Sequence, residues 1–343
     1  MAGYVGSMRA APILIEMMKR EEAIQGGYYT GIATIHEGKI YYAKLVGDVD
    51  RLLLLTEAEK LPGNIGIIHS RSKGGGLTNE WSHPFVSEKD GKINSAYIAN
   101  GGQGFFSSNR DKLCARADEL LLMGYNMRSR DRFETRYPTL KDGSCVHMTD
   151  LMCQELQYLM DNGRSAPEAM EEAFHELPGE LAGLLLTLAE PTSIAWSRTN
   201  MPLYISYAPH GTYIASTALA FPADAGKETL LPAQSSGRLY SNKCEITPYA
   251  EQIGNMGFIN DENSAAAYDI IYNLAKEGKK DCAAFYKAVY KLFAGYDYYD
   301  AEPLTYNVMQ QLDREGKLEC EIVRVPGVID GITAPLALYS LKN

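Results

Sequence analysis

Two short apolar runs, Ile65–Ile68 and Ala96–Ala99, each stop at residues suited to hydrogen bonding and to close backbone approach. The first runs into His69-Ser70-Arg71 and then Ser72-Lys73-Gly74-Gly75-Gly76, the second into Asn100-Gly101-Gly102. Strands that give way to such loops carry binding residues on a rigid support, so 66–106 reads as two halves of one polar site. Plainer readings stand beside this one: Arg71 as a surface ion-pairing residue, Asn100-Gly101 as a hairpin turn. His69 and His83 read as structural, since an isolated histidine is weak evidence of catalysis. The six cysteines are scattered without a CxxC pair, which indicates buried thiols rather than disulfides or a metal centre. No metal and no cofactor is expected.

The elements that must position these loops follow from periodicity. Met8–Lys19 has helical spacing of Ile13, Leu14, Met17 and Met18. Tyr28–Thr34 and Lys39–Val46 alternate as strands around a Glu37-Gly38 turn. A helix is expected over Asp48–Lys60, and another over Ser107–Met123, with Ser108 or Asn109 as cap and Gly124 as stop. Asn126–Cys145, with four arginines and no periodicity, reads as a long loop: either a lid or binding element, or a solvated insertion. Thr149–Asn162 and Ala166–Leu177 are helices, the second opened by a Ser165-to-Glu168 capping box with Pro167 inside its first turn. Four strands follow, at Leu181–Leu188, Ser193–Arg198, Leu203–Tyr207 and Thr212–Ser216, and then a polar stretch, Ala223–Lys243. The order of strands and helices predicts an α+β architecture of antiparallel sheets covered by helices.

Beyond about residue 245 the texture changes. Helices over Asn263–Lys276, Asp281–Phe293 and Pro303–Arg314, then strands over Lys317–Val325 and Thr333–Ser340, suggest a small winged-helix-like module. Its last segment, from Glu302 onward, holds four basic against six acidic residues, so the basic face of a DNA reader is missing. Two units are expected, 1–245 and 246–343. The net charge of −10 over 343 residues argues against nucleic acid and anionic membranes as partners. No stretch approaches the ~20 apolar residues of a membrane span, and no signal peptide is visible, so the cytoplasm is the expected compartment.

In this order, Gly3–Gly6 (GYVG), Gly26–Thr34 (GGYYTGIAT), Gly66–Arg71 with His83-Pro84-Phe85, Ala99–Gly102 (ANGG), Thr149-Asp150, Pro202-Leu203 and Ala215-Ser216 resemble the glutaminase domain of class II glutamine amidotransferases. These are the enzymes of the N-terminal-nucleophile type, and the likeness is to glucosamine-6-phosphate synthases in particular. The resemblance implies a four-layer αββα sandwich and glutamine or a related amino acid as ligand. It also implies roles. Asn100 and the Gly101 N–H would form an oxyanion hole. Arg71 would hold the α-carboxylate through its bidentate guanidinium. Asp150 would accept from the α-ammonium, with Asp131 as fallback because the Asn126–Cys145 loop is longer than the family's and shifts the alignment; Asp150 could equally be a helix cap.

The family's nucleophile is a cysteine exposed as first residue after the initiator methionine, with its own α-amine as base. Here the chain opens Met1-Ala2-Gly3; loss of Met1 would leave in Ala2 an amine without an attacking atom. Ser72–Gly76 stands where the family has Trp-Ala-Thr-His-Gly, and Gln25-Gly26 where it has Arg-Gly. Sugar-isomerising domains are not expected on this sequence. Two readings stay open. One is a degenerate binding or regulatory homologue, a pseudoenzyme that holds an amino acid or meets a protein. The other is an active glutaminase feeding ammonia to a partner synthase, its Cys-bearing start absent from this sequence. Self-association into a homo-oligomer is left open.

Overall fold

The structure is a computed structural model that describes residues 1–101 and 107–342; Gly102 to Phe106, the end of the stretch singled out above, lie outside the described residues. In chain order the elements are β1 (Ala2–Gly6), α1 (Ala10–Gln25), β2 (Tyr29–His36), β3 (Lys39–Val46), α2 (Val49–Leu55), β4 (Ile65–Arg71), β5 (Phe85–Lys89) and β6 (Lys92–Gly101). Next come α3 (Arg110–Leu122), α4 (Met148–Asp161), α5 (Ala166–Glu176), β7 (Glu180–Thr187), β8 (Ile194–Arg198), β9 (Tyr204–Ala208) and β10 (Gly211–Ala215). The short β11 (Thr229–Leu230), β12 (Ser235–Leu239), β13 (Thr247–Pro248) and β14 (Met256–Gly257) lead to α6 (Asp261–Glu277), β15 (Lys280–Asp281), α7 (Cys282–Val289), β16 (Tyr298–Tyr299), α8 (Ala301–Arg314), β17 (Leu318–Pro326) and β18 (Thr333–Leu341).

Among the described residues, seven strands form one sheet in the order β11-β9-β10-β1-β4-β2-β3, and six form a second, β13-β12-β8-β7-β6-β5. The alternation of side chains sorts them into layers. Ile65 and Ile67 of β4, Ala96 and Ile98 of β6, and Leu184, Leu186 and Trp196 of the second sheet meet in the core between the sheets. Ile68, Tyr4 and Tyr213 face the other way, onto Leu14, Met17 and Met18 of α1. Tyr97, Phe85 and Leu185 face α3, α4 and α5. Helix, sheet, sheet, helix is the αββα sandwich that the sequence led us to expect, and antiparallel pairing throughout both large sheets makes it α+β.

Local chemistry fixes several boundaries. The β2–β3 hairpin turns on Glu37 at φ 46° and Gly38 at φ 70°, a left-handed pair that glycine favours. Asp48 caps α2, its Oδ1 accepting from Arg51 N at 2.9 Å; the helix expected to run to Lys60 ends at Leu55. In α5 the box is made: Glu168 Oε2 accepts from Ser165 N at 2.9 Å and from Ser165 Oγ at 2.7 Å.

Two expectations are corrected. The first helix runs six residues past Lys19, to Gln25, because Glu21 and Glu22 find buried partners. The polar stretch 223–243 contains β12, whose Ser235, Ser236 and Gly237 are buried because β8 and β13 flank them.

From Asp261 the order is helix, strand, helix, short strand β16, helix, strand, strand; β15-β18-β17 form one sheet, while β16 pairs with β14 outside it, so the segment follows the expected winged-helix-like order apart from β16. It packs on α1, whose Ala23 and Ile24 share a cluster with Leu304, Tyr306, Val308 and Phe285. It is also pinned by charge: Arg198, at the end of β8, donates to Asp300 Oδ1 at 2.6 Å with both side chains buried.

Candidate functional site

The parity of β4 and β6 does not stop where their apolar residues do. Continuing the inward positions Ile65 and Ile67 gives His69 and Arg71, and continuing Ala96 and Ile98 gives Asn100. All three therefore enter the space between the sheets at the end where the strands run out. A cavity of about 390 Å³ lies there, lined among others by His69, Arg71, Asn100, Gly101, Glu21, Glu22 and Ser216. The two halves meet directly, since His69 Nε2 and Asn100 Oδ1 are 3.0 Å apart. The β6–β7 register slips between Asn100 and Gly101, a bulge of the kind that re-aims side chains beside sites.

Asn100 is oriented by a set of neutral histidines. His69 and His83 stack at 4.1 Å between centroids, and His147 meets His83 edge-on at 5.4 Å. Burial holds all three well below the ordinary imidazole range; the Met1 amine adds to the effect at His69, His69 and His147 add to it at His83, and Arg71 and His69 at His147. With Oδ1 of Asn100 as acceptor, His69 carries its proton on Nε2, and the Asn100 amide N–H groups are left for a ligand. His69 Nδ1 is buried and has no hydrogen-bond partner among the described residues.

Arg71 is buried and heavily engaged. It donates to Trp81 O at 2.9 Å, to Tyr137 Oη at 3.0 Å and to the carbonyl of Gly74, and its guanidinium lies 4.4 Å from the Tyr29 ring centroid. It is not a surface ion-pairing residue. Three of its five donors are used by these contacts, so it reaches the cavity as a partly satisfied cation. The glycines after it have a steric reason: a Cβ on Gly76 would come within 2.3 Å of Trp81 Nε1. Tyr137 comes from the 126–145 segment, which folds into the core through Met127 and Leu140; it is not a solvated insertion.

Part of the lining is acidic. Glu21 accepts from the Met1 amine at 2.5 Å, and Ser216 Oγ lies 3.0 Å from that amine. Glu22 Oε2 accepts from Val49 N at 3.0 Å and Ser70 Oγ at 3.3 Å. Burial raises the pKa of both, that of Glu22 to about 8. Glu302 and Tyr306 of α8 complete this wall.

Asp150 is placed elsewhere. It does not line the cavity; Oδ2 accepts from Arg128 N at 2.7 Å and from Ser129 N and Oγ at 2.8 Å. Oδ1 accepts from Gln154 Nε2 at 3.3 Å. The carboxylate ties the 126–145 segment to the first turn of α4. Asp131, the fallback, pairs its backbone with Cys145 and is also outside the lining. The structure thus brings Arg71, Asn100 and Gly101 together and leaves Asp150 apart. Glu21 and Glu22 were missed, although carboxylates at the α1 positions following Leu14 and Met18 on the apolar stripe were a signal. None of the described lining residues is a cysteine.

The chain is 29% identical over 226 residues to the glutamine–fructose-6-phosphate aminotransferase (isomerizing) of Pyrococcus horikoshii, a match covering 64% of this chain and 33% of that one. To the enzyme of the same name from Bartonella henselae it is 26% identical over 219 residues, 64% and 31% of the two chains. It spans about a third of the length of these relatives. No protein-family model matches. Among solved structures, glutamine phosphoribosylpyrophosphate amidotransferase from B. subtilis superposes with a TM-score of 0.59 at 16% identity, over 81% of this chain and 58% of that one. An allosteric regulatory enzyme of purine biosynthesis gives 0.57 at 17%, over 74% and 50%. At such identities these two speak for the fold.

Proposed function

We propose, from the premise that this chain carries a class II glutaminase-like domain of the N-terminal-nucleophile type, that the cavity binds glutamine or a close amino-acid amide without hydrolysing it. One observation carries the reading: Arg71 on one sheet and Asn100-Gly101 on the other converge on a cavity whose described lining contains no thiol. Arg71 offers its remaining donors to the α-carboxylate. The Asn100 amide and Gly101 N–H polarise the side-chain carbonyl of the ligand, as an oxyanion hole would. Covalent attack needs a nucleophile within hydrogen-bond reach of a base, and the described lining offers no thiol for it. Arg71, Asn100 and Gly101 all lie in 1–245, and 246–343 packs against that unit. The retained pairing of His69 with Asn100 is what speaks for the second reading, a glutaminase that feeds ammonia to a partner synthase.

Titration calorimetry with L-glutamine, run beside an ammonia-release assay, tests this. Saturable binding with no ammonia above the buffer background is expected, and Arg71→Ala should weaken binding about tenfold or more, the scale of a charge-assisted hydrogen bond. Turnover abolished by thiol alkylation would restore the glutaminase reading. Unchanged binding by Arg71→Ala would remove Arg71 from the site.

A further inference from the structure

The acidic wall of the cavity is not made by the amidotransferase-like part alone. Glu302 and Tyr306 lie on α8, in the segment that follows residue 245. They are one helical turn apart, so they share a face; Tyr306 Oη donates to Glu302 Oε1 at 2.8 Å, and Gln25 Nε2 of α1 reaches Tyr306 Oη at 3.5 Å.

The placement is built rather than incidental. Asp300, the residue before α8, is held by Arg198 at 2.6 Å. Asn200 Nδ2 donates to Tyr299 O at 3.1 Å, and Tyr204 Oη donates to Asn307 Oδ1 at 2.8 Å. Three contacts from the second half of the sandwich thus fix the first two turns of α8, and Glu302 sits in the first of them. Tyr306 is buried against Ala23 and Ile24 of α1, while Glu302 is half-buried and lines the cavity.

A carboxylate in that position has lost much of its water and has one oxygen steadied by a tyrosine. A positive group arriving in the cavity returns the lost solvation, whereas an anion is repelled. The same lining also carries donors, Arg71, Lys73 and the Asn100 amide. The Nδ1 of His69, a residue only 4% exposed, has no hydrogen-bond partner among the described residues, also belongs to this cavity and calls for a polar occupant. A lining that carries both signs matches a zwitterion.

We propose that α8 completes the binding site, with Glu302, oriented by Tyr306, receiving the protonated amine of the ligand. This is the role that the sequence assigned to Asp150, and it makes the winged-helix-like module part of the site rather than an appended packing unit. The proposal rests on the amide-binding reading above for the identity of the ligand, but the amine and the amide can be tested apart.

The experiment is calorimetry on the full chain with three probes: L-glutamine, glutaramate (amide kept, amine absent) and L-norvaline (amine kept, amide absent). Wild type should bind L-glutamine at least tenfold more tightly than glutaramate, because a charge-assisted contact is lost. Glu302→Gln should bring the two within about twofold by weakening glutamine and leaving glutaramate unchanged. Tyr306→Phe should weaken glutamine by a smaller factor; it carries the comparison, through the glutamine-to-glutaramate ratio, if Glu302→Gln fails to fold by circular dichroism. An unchanged ratio in the variants overturns the role of Glu302 and leaves the amide reading standing. Norvaline bound as tightly as glutamine, and lost in Glu302→Gln, supports Glu302 and overturns the amide reading. Absence of binding by all three overturns both.

Discussion

Raising the pH from 5 to 8 should cost this protein stability through Glu22, and Glu22→Gln should escape that loss. Glu22 sits on the buried side of α1, and its Oε2 accepts from Val49 N and Ser70 Oγ. Burial lifts its carboxyl from 4.5 to about 8, and the nearby Asp48 and Asp50 charges push the same way. The folded state therefore keeps the proton where the unfolded chain has already released it. The stabilisation is complete below the unfolded value of 4.5 and decays as the pH climbs through the folded value of about 8. At about 1.36 kcal/mol per pH unit, the gap from 4.5 to about 8 amounts to about 5 kcal/mol. With unfolding entropy near 2.1 cal/mol/K per residue, 343 residues give about 0.7 kcal/mol per degree, so the shift is about 7 °C in Tm.

Scanning calorimetry of both proteins at pH 5, 6, 7 and 8 reads this directly. Glu21, Asp150, Asp300 and Glu302 are raised by burial too, but they are common to both proteins and drop out of the difference. The Tm of Glu22→Gln minus that of wild type should rise steadily from pH 5 to pH 8. A difference that stays constant across the window would refute the assignment of a buried, protonated Glu22.

Asp150→Ala would orphan the N–H groups of Arg128 and Ser129 together with the Ser129 hydroxyl, at about 1–3 kcal/mol for each buried donor left without an acceptor. A Tm several degrees lower is expected; a variant as stable as wild type but unable to bind L-glutamine would return Asp150 to the site. Asp300→Ala leaves Arg198 buried without its anion, a loss of about 3–5 kcal/mol, equivalent to about 4–7 °C on the same entropy scale. A shift under about 1 °C would show that this pair is not what fastens α8.

Much of the fold was legible because burial on one face leaves a period in the sequence. The alternation in Tyr28–Thr34 and Lys39–Val46 and the Ser165–Glu168 box are local, and the structure places strands over Tyr29–His36 and Lys39–Val46 and a cap at Ser165. β12 was hidden for a physical reason. Ser235, Ser236 and Gly237 are buried by neighbouring strands on both sides, and a Cβ on Gly237 would come within 1.8 Å of Glu245 O. Close backbone approach selects small residues there, and small polar residues carry no hydrophobic period. The end of α1 was misread similarly, since Arg20-Glu21-Glu22 reads as a charged terminus until Val49, Ser70 and Met1 arrive from elsewhere as partners.

The site divides along the same line. Arg71 and Asn100 could be read from their strands, because parity carries an inward position one to three residues past the last apolar one, and both line the cavity. Asp150 and Glu302 could not be told apart in this way. Each is an acidic residue in the first turn of a helix, where a carboxylate is favoured by the helix dipole whatever else it does. What separates them is the segment that comes to meet each one. A loop more than twenty residues upstream delivers three donors to Asp150 Oδ2 and uses that oxygen structurally. Among the described residues, Glu302 accepts a hydrogen bond from its own helix neighbour Tyr306 and otherwise lines a cavity. A carboxylate becomes an anchor or a ligand group according to whether tertiary contacts have already spent its lone pairs, and those contacts are set by the packing of distant segments.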